Sequence, residues 1–146
     1  MTRDPDLYGD DERVRSLLRD TSVWAVVGLS DSQIRPAYGV ARMLQAKGKR
    51  IVPIHLTART VHGERGYATL SDAVFEIGEI EVVDCFVNST RVGAVVDEAI
   101  AVGAKAVWMQ LDIVDEDAAR RARAAGLAVV MDRCPAIEWP RLMASG

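Results

Sequence analysis

The chain has 146 residues, of which 49% are hydrophobic and 27% charged, with a net charge of −3. That length argues for one domain able to bury a core, and the near balance of charge argues against disorder. It also excludes any global attraction to nucleic acid or anionic membranes, so an anion site would have to be local.

No apolar run approaches the roughly 18 residues that a spanning helix needs. The opening Met-Thr-Arg-Asp-Pro-Asp lacks the basic region and apolar stretch of a signal peptide. Cys85 and Cys134 have no CxxC spacing, which predicts reduced thiols in a cytoplasmic protein.

Asp10–Arg19 carries Val14, Leu17 and Leu18 at helical spacing, with acids early and arginines late. Val23–Val27 is a continuous apolar run of the kind buried on both faces of a parallel sheet. Pro36 suits a first helical turn, Val40, Met43 and Leu44 make an apolar stripe, and Gly48 is placed as a C-terminal cap. Arg50–Leu56 reads as the second strand, with Pro53 expected near its end because it removes a ladder donor. A loop rich in Gly, Thr and Arg follows, then a short strand at Tyr67–Thr69 and a brief helix capped by Ser71 and running to Phe75.

Val82–Val87 is the next strand, in which Cys85 reads as core and Asp84 as hydrogen-bonded structure. Ser89 or Thr90 is expected to cap a helix with Val92, Val95, Val96, Ala99 and Ile100 on one face, ending at Gly103. Lys105–Gln110 is a strand, Asp112 or Asp115 starts a helix that ends at Gly126, and Leu127–Met131 is the last strand. Trp24 and Trp108 lie in strands and read as core; Trp139 near the C-terminus covers a core edge or a contact surface.

Strands alternating with helices predict an α/β fold: a three-layer, doubly wound parallel sheet with helices on both faces. With the Tyr67 strand counted, the predicted order is 3-2-1-4-5-6, with the topological switch between the Val23 and Val82 strands. The expected layout is an N-terminal helix within residues 1–22, a core over 23–134 and a C-terminal segment over 135–146.

Ligands of such sheets bind beyond the carboxyl ends of the strands at the switch. There Gly28 permits a tight turn, and Gly39 would let the helix approach the sheet or a phosphate. Ser30, Ser32, Arg35 and the helix amides would form an anion cradle; the plainer alternative is an ordinary strand–helix turn with a solvated arginine. The GxGxxG fingerprint and GxxxxGK[ST] are absent. No Asp or Glu lies between Arg50 and Arg59, so an NAD ribose has no carboxylate partner. His55, Thr57 and Arg59 suit a phosphorylated ribose better, as in NADP or coenzyme A. His55 and His62 have no metal-ligand neighbours at the required spacing and read as solvated loop residues. Cys134 follows Arg133, a neighbour able to activate a thiol, although a packing thiol is the simpler reading.

Four segments resemble one family: Val26-Val27-Gly28-Leu29-Ser30, Arg35 to Ala41, Val107 to Leu111, and Ala125 to Cys134. They are similar to stand-alone CoA-binding domain proteins, whose fold is that of the nucleotide-binding domain of the succinyl-CoA synthetase α subunit. The resemblance spans about Val23 to Leu142 and implies a Rossmann-like domain that binds coenzyme A or an acyl-CoA. It places the diphosphate on Gly28, Leu29 and Ser30 and on the helix at Tyr38 and Gly39, with Arg35 as counter-charge. The adenosine would rest against Ile54 and His55 and against the loop of Val87, Asn88 and Ser89, with Gln110 flanking the site. Charge and hydropathy predict no nucleic-acid or membrane partner, and a homodimer or a partner subunit stays open.

Two positions depart from the family pattern. An asparagine-proline is replaced by His55-Leu56, and a Phe-Arg followed by Arg or Pro is replaced by Phe86-Val87-Asn88-Ser89. Loss of one phosphate-facing arginine would lower affinity about 10- to 150-fold, unless Arg59, Arg65 or Arg91 substitutes. The synthetase's phosphohistidine domain has no counterpart here, so a binding role without catalysis is expected. The alternatives are an NADP-linked or acyl-transfer component using Cys134 or His55, and a regulatory protein with a vestigial pocket.

Overall fold

The computed structural model describes residues 3–143. Five parallel strands form one sheet: β1 (Val23–Val27), β2 (Arg50–Ile54), β3 (Val82–Cys85), β4 (Ala106–Met109) and β5 (Ala128–Val130), ordered β2-β1-β3-β4-β5. β1 has the predicted bounds, and the other four predicted strands are present but shorter by one or two residues at their ends. The Tyr67 strand shrinks to a single parallel bridge with Ile54 on the outer side of β2. It occupies the expected third-strand position without extending the ladder.

Pro53 is the penultimate residue of β2, as expected. Its carbonyl accepts from the Tyr67 amide at 2.9 Å, whereas that of Ile54 accepts from Gly28 at 2.8 Å. Backbone groups alternate sides along a strand, so the proline nitrogen faces the outer edge and costs β1 no bond.

Helices α2 (Asp11–Asp20), α3 (Pro36–Ala46) and α7 (Pro135–Met143) contribute to the core on one face of the sheet. Helices α4 (Leu70–Ile77), α5 (Val92–Ala101) and α6 (Glu116–Ala124) cover the other, joined by the short α1 (Pro5–Tyr8). Strand residues divide by parity: Trp24, Val26, Val82, Trp108 and Val130 face the α3 side, and Ala25, Val27, Val83, Cys85 and Met109 the α5 side. Trp24 and Trp108 are both fully buried, with ring centroids 5.6 Å apart. Their indole N–H groups donate to Thr21 Oγ and to the Arg133 carbonyl, each at 2.8 Å. They are core, as expected. Trp139 packs against the α3-side core and lies under the ammonium groups of Lys47 and Lys49.

Of the two starts expected for α6, Asp115 is the N-cap, and Asp10 caps α2; other helix starts differ from expectation. The cap of α4 is Thr69, whose hydroxyl accepts from the Asp72 amide, while Ser71 lies inside the helix and bonds Glu98. Neither Ser89 nor Thr90 caps α5, which begins after Arg91. The one-turn helix α1 carries no periodic pattern to announce it; it is held by the Asp4 cap and by burial of Leu7 and Tyr8. No helix among the described residues is long and apolar enough to cross a membrane.

Candidate functional site

The strand order puts the switch between β1 and β3, since β1 pairs with β2 on one side and β3 on the other. Gly28 sits there with φ +99°; its amide donates to Ile54 of β2, and the neighbouring Val27 carbonyl accepts from Phe86 beyond β3. A Cβ at Gly28 would lie 3.0 Å from the Phe86 carbonyl oxygen and 3.2 Å from its Cβ. The turn therefore requires glycine for its conformation and for its closeness to the next strand.

Leu29 turns back into the α3-side core and is 1% exposed. The Ser30 hydroxyl accepts from the Ser32 amide at 3.2 Å, which shapes the loop. Arg35 is exposed and is the N-cap of α3, with no side-chain bond to the helix start; Pro36 follows at the first position. A Cβ at Gly39 would meet nothing within 4 Å. Close packing of α3 on the sheet therefore does not explain this glycine, contrary to expectation. It faces open space.

Two helices begin beside the switch, α3 after β1 and α5 after β3; α3 has no side-chain cap, whereas the turn leading into α5 is closed by Asn88. Likewise α1, α2, α4 and α6 are each closed by Asp4, Asp10, Thr69 and Asp115. Uncapped amides with the positive end of the helix dipole form a setting for an anion.

The loop after β3 is committed to its own structure. Asn88 Oδ1 accepts from the Thr90 amide and hydroxyl, and the Asn88 carbonyl accepts from the Arg91 and Val92 amides. The Ser89 hydroxyl donates to the Asp112 carbonyl and accepts from the Val114 amide. Val87 is half-buried against the α5-side core. Of the basic side chains flanking the edge, Arg65 lies over the Tyr67 ring, while Arg59 and Arg91 are exposed.

Ile54 is buried at the end of β2, and the half-buried His55 accepts from the Thr57 amide at Nδ1. The neutral ring therefore carries its proton on Nε2. His62 is not the solvated histidine expected. It bonds the Tyr38 carbonyl through Nε2 at 2.8 Å and packs on the Tyr38 ring, with centroids 4.2 Å apart. The long loop beyond β2 thus folds onto the first turn of α3.

Asp84 departs furthest from expectation. It is fully buried, and neither carboxylate oxygen has a hydrogen-bond partner. Burial alone pushes its pKa well above the usual carboxylate range, which favours the neutral acid. Gln110, 5% exposed, has a buried amide oxygen with no partner. Cys134 is buried at the start of α7, beyond β5 and three strands from β1. The structure does not bring it to the switch. Cys85 is buried in β3, and burial pushes its thiol above the ordinary range.

Residues 22–140 match the family described as CoA binding domain. The chain belongs to that family. A hypothetical protein from Pyrococcus horikoshii OT3 is 32% identical and superposes with a TM-score of 0.87, covering 98% of this chain and 99% of that one. The uncharacterized protein YneT of Bacillus subtilis (strain 168) is 29% identical over 121 residues, 83% of this chain and 87% of its own length. The dinucleotide forming acetyl-coenzyme A synthetase 1 of Ca. Korarchaeum cryptofilum is 25% identical with a TM-score of 0.68; the match covers 80% of this chain and 27% of the synthetase. The fold is thus shared by chains of similar length and by one part of a much larger protein.

Proposed function

We propose that this chain binds coenzyme A, free or acylated, across the carboxyl edge between β1 and β3, and that it performs no chemistry on it unaided. The observation that carries the reading is the uncapped start of α3 beside the Gly28 turn, at the switch of a CoA-binding family fold. The diphosphate lies on the Gly28-Leu29-Ser30 turn and the first turn of α3 at Tyr38 and Gly39, with Arg35 as counter-charge. Adenosine rests against Ile54 and His55 and the turn of Val87, Asn88 and Ser89. Because Asn88 and Ser89 already bond within the protein, this turn contributes backbone and shape. The absence of an acid from Arg50 to Arg59 favours a phosphorylated ribose over the NAD ribose.

Isothermal titration with coenzyme A, dephospho-coenzyme A and NAD tests this. Coenzyme A should bind tightest and NAD weakest, and Arg35→Ala should weaken coenzyme A more than tenfold with the melting temperature nearly unchanged. Tighter binding of NAD, or equal loss in Arg91→Ala with none in Arg35→Ala, refutes the assignment.

A further inference from the structure

Asp84 and Gln110 are the described residues whose buried side-chain polar atoms lack any partner: both carboxylate oxygens of Asp84, and Oε1 of Gln110. The nitrogen end of the Gln110 amide carries no such deficit. Both residues face the α3 side of the sheet. Asp84 is in register with Val26 and Trp108, which belong to that core, and Gln110 follows Trp108 by two residues. The Gln110 amide nitrogen of the backbone donates to the Cys85 carbonyl, so the ladder persists to this point. One strand spacing across and two residues along put the two backbones about 8 Å apart, a diagonal that an aspartate and a glutamine span together.

Three acceptors cannot satisfy one another, but a carboxyl group that keeps its proton is a donor. Its register neighbours Val26 and Trp108, and Val82 two residues before it on the same strand, are apolar and belong to the α3-side core. Gln110 stands at the mouth of β4, on the opposite side of β3 from β2. With adenosine toward β2, the remainder of a coenzyme A molecule runs toward β4.

We propose that Asp84 is a positioning residue for Gln110: its carboxyl O–H donates to Oε1, and the amide Nε2 is thereby aimed at the cleft to donate to a carbonyl of the ligand's pantetheine arm. This rests on the coenzyme A reading. It makes the pair a reader of the arm, separate from the diphosphate cradle. Without a donor at Asp84 the Gln110 amide can flip, and the flipped amide would present an acceptor to an acceptor.

The test titrates coenzyme A and adenosine 3′,5′-diphosphate, which lacks the arm, into wild type, Asp84→Asn, Asp84→Leu and Gln110→Leu. Both leucine variants should lose about tenfold for coenzyme A and nothing for the nucleotide. Asp84→Asn, whose side-chain amide still donates, should bind like wild type. In ¹⁵N spectra, the Gln110 side-chain amide of wild type and Asp84→Asn should show one slowly exchanging, non-equivalent pair of protons. Equal losses in Asp84→Asn and Asp84→Leu, unchanged coenzyme A affinity in Gln110→Leu, or a solvent-like Gln110 amide in wild type would each overturn the proposal. Should Asp84→Leu not fold, the wild-type and Asp84→Asn spectra and the Gln110→Leu titration decide. If wild type binds no coenzyme A, the functional reading fails, and the Gln110 resonances still judge the pairing.

Discussion

Asp84→Asn should make the protein more stable at neutral pH, and the gain should vanish in acid. The native carboxyl is fully buried, has no hydrogen-bond donor to stabilise its anion, and has its pKa raised by burial with no charged neighbour contributing. The unfolded chain ionises Asp84 near pH 3.9. Between that value and the raised native pKa, the native state holds one proton that the unfolded state has released. Stability must therefore fall as pH rises, by about 1.4 kcal/mol for each unit in that window. For a domain of this size that is about 3–6 °C of melting temperature per unit. Asparagine is nearly isosteric and does not titrate, so its curve lacks this slope. Urea unfolding of both proteins at pH 4, 5, 6 and 7 measures the difference. Asp6, Asp11, Asp20 and Asp132, whose pKa values are lowered, act in the opposite sense below the ordinary carboxylate range and cancel in the comparison. Parallel stability curves from pH 4 to 7 would show that Asp84 is not held neutral, and the reasoning from burial would fall.

Gly28→Ala should lower stability by about 1–3 kcal/mol by urea unfolding, from the left-handed backbone and the 3.0 Å approach to Phe86. Gly39→Ala should instead raise stability by about 0.5–1 kcal/mol, because a helical position facing open space gains only from reduced chain entropy. Thr69→Ala should cost about 1 kcal/mol as the loss of a helix cap, and Ser71→Ala, removing an exposed contact to Glu98, should cost less. A thiol reagent added to native protein should label neither Cys85 nor Cys134 at the rate seen in urea, since both are buried; rapid labelling of Cys134 would restore the reactive-thiol reading.

The sheet was legible because its strands are buried on both faces. Runs such as Val23–Val27 need no alternation, and the helices between them dictate parallel crossovers. The Tyr67 strand was half legible: its place was right, but Tyr67 makes only two ladder bonds to β2 before Thr69 caps α4. Ser71 and Thr69 are chemically near-equal as caps, and only the backbone conformation separates them. In the site, the need for Gly28 was readable from a glycine ending an apolar run. The internal commitments of Asn88, Ser89 and His62 were not, because they depend on contacts made by chain segments distant in sequence or by the local turn. Asp84 misled for a physical reason: a lone acid inside an apolar strand is ordinarily bonded, and nothing in sequence shows that its neighbours across the sheet are Val26 and Trp108.

The two ends of the sheet differ in a way that bears on function. At the amino end polar groups are closed: Glu81 accepts from the Ser22 and Val23 amides at 2.7 and 3.0 Å, Thr21 accepts from Trp24, and the Lys49 ammonium donates to the Thr21 carbonyl. At the carboxyl end Thr69, Asn88 and Asp115 close the starts of α4, α5 and α6, but α3 has no side-chain cap, Gly28 adopts a left-handed conformation, and Asp84 and Gln110 carry unpartnered atoms. A fold optimised only for stability would cap α3 as it caps α4 and α6, since each cap alone is worth about 1 kcal/mol. The asymmetry therefore predicts where ligand binding is felt. Hydrogen exchange with saturating coenzyme A should slow at residues 28–39 and 87–93, and leave Ser22, Val23 and Trp24 as they were. Uniform slowing across both ends would mean that binding merely stabilises the whole fold by mass action. The open carboxyl end would then have no special part in it.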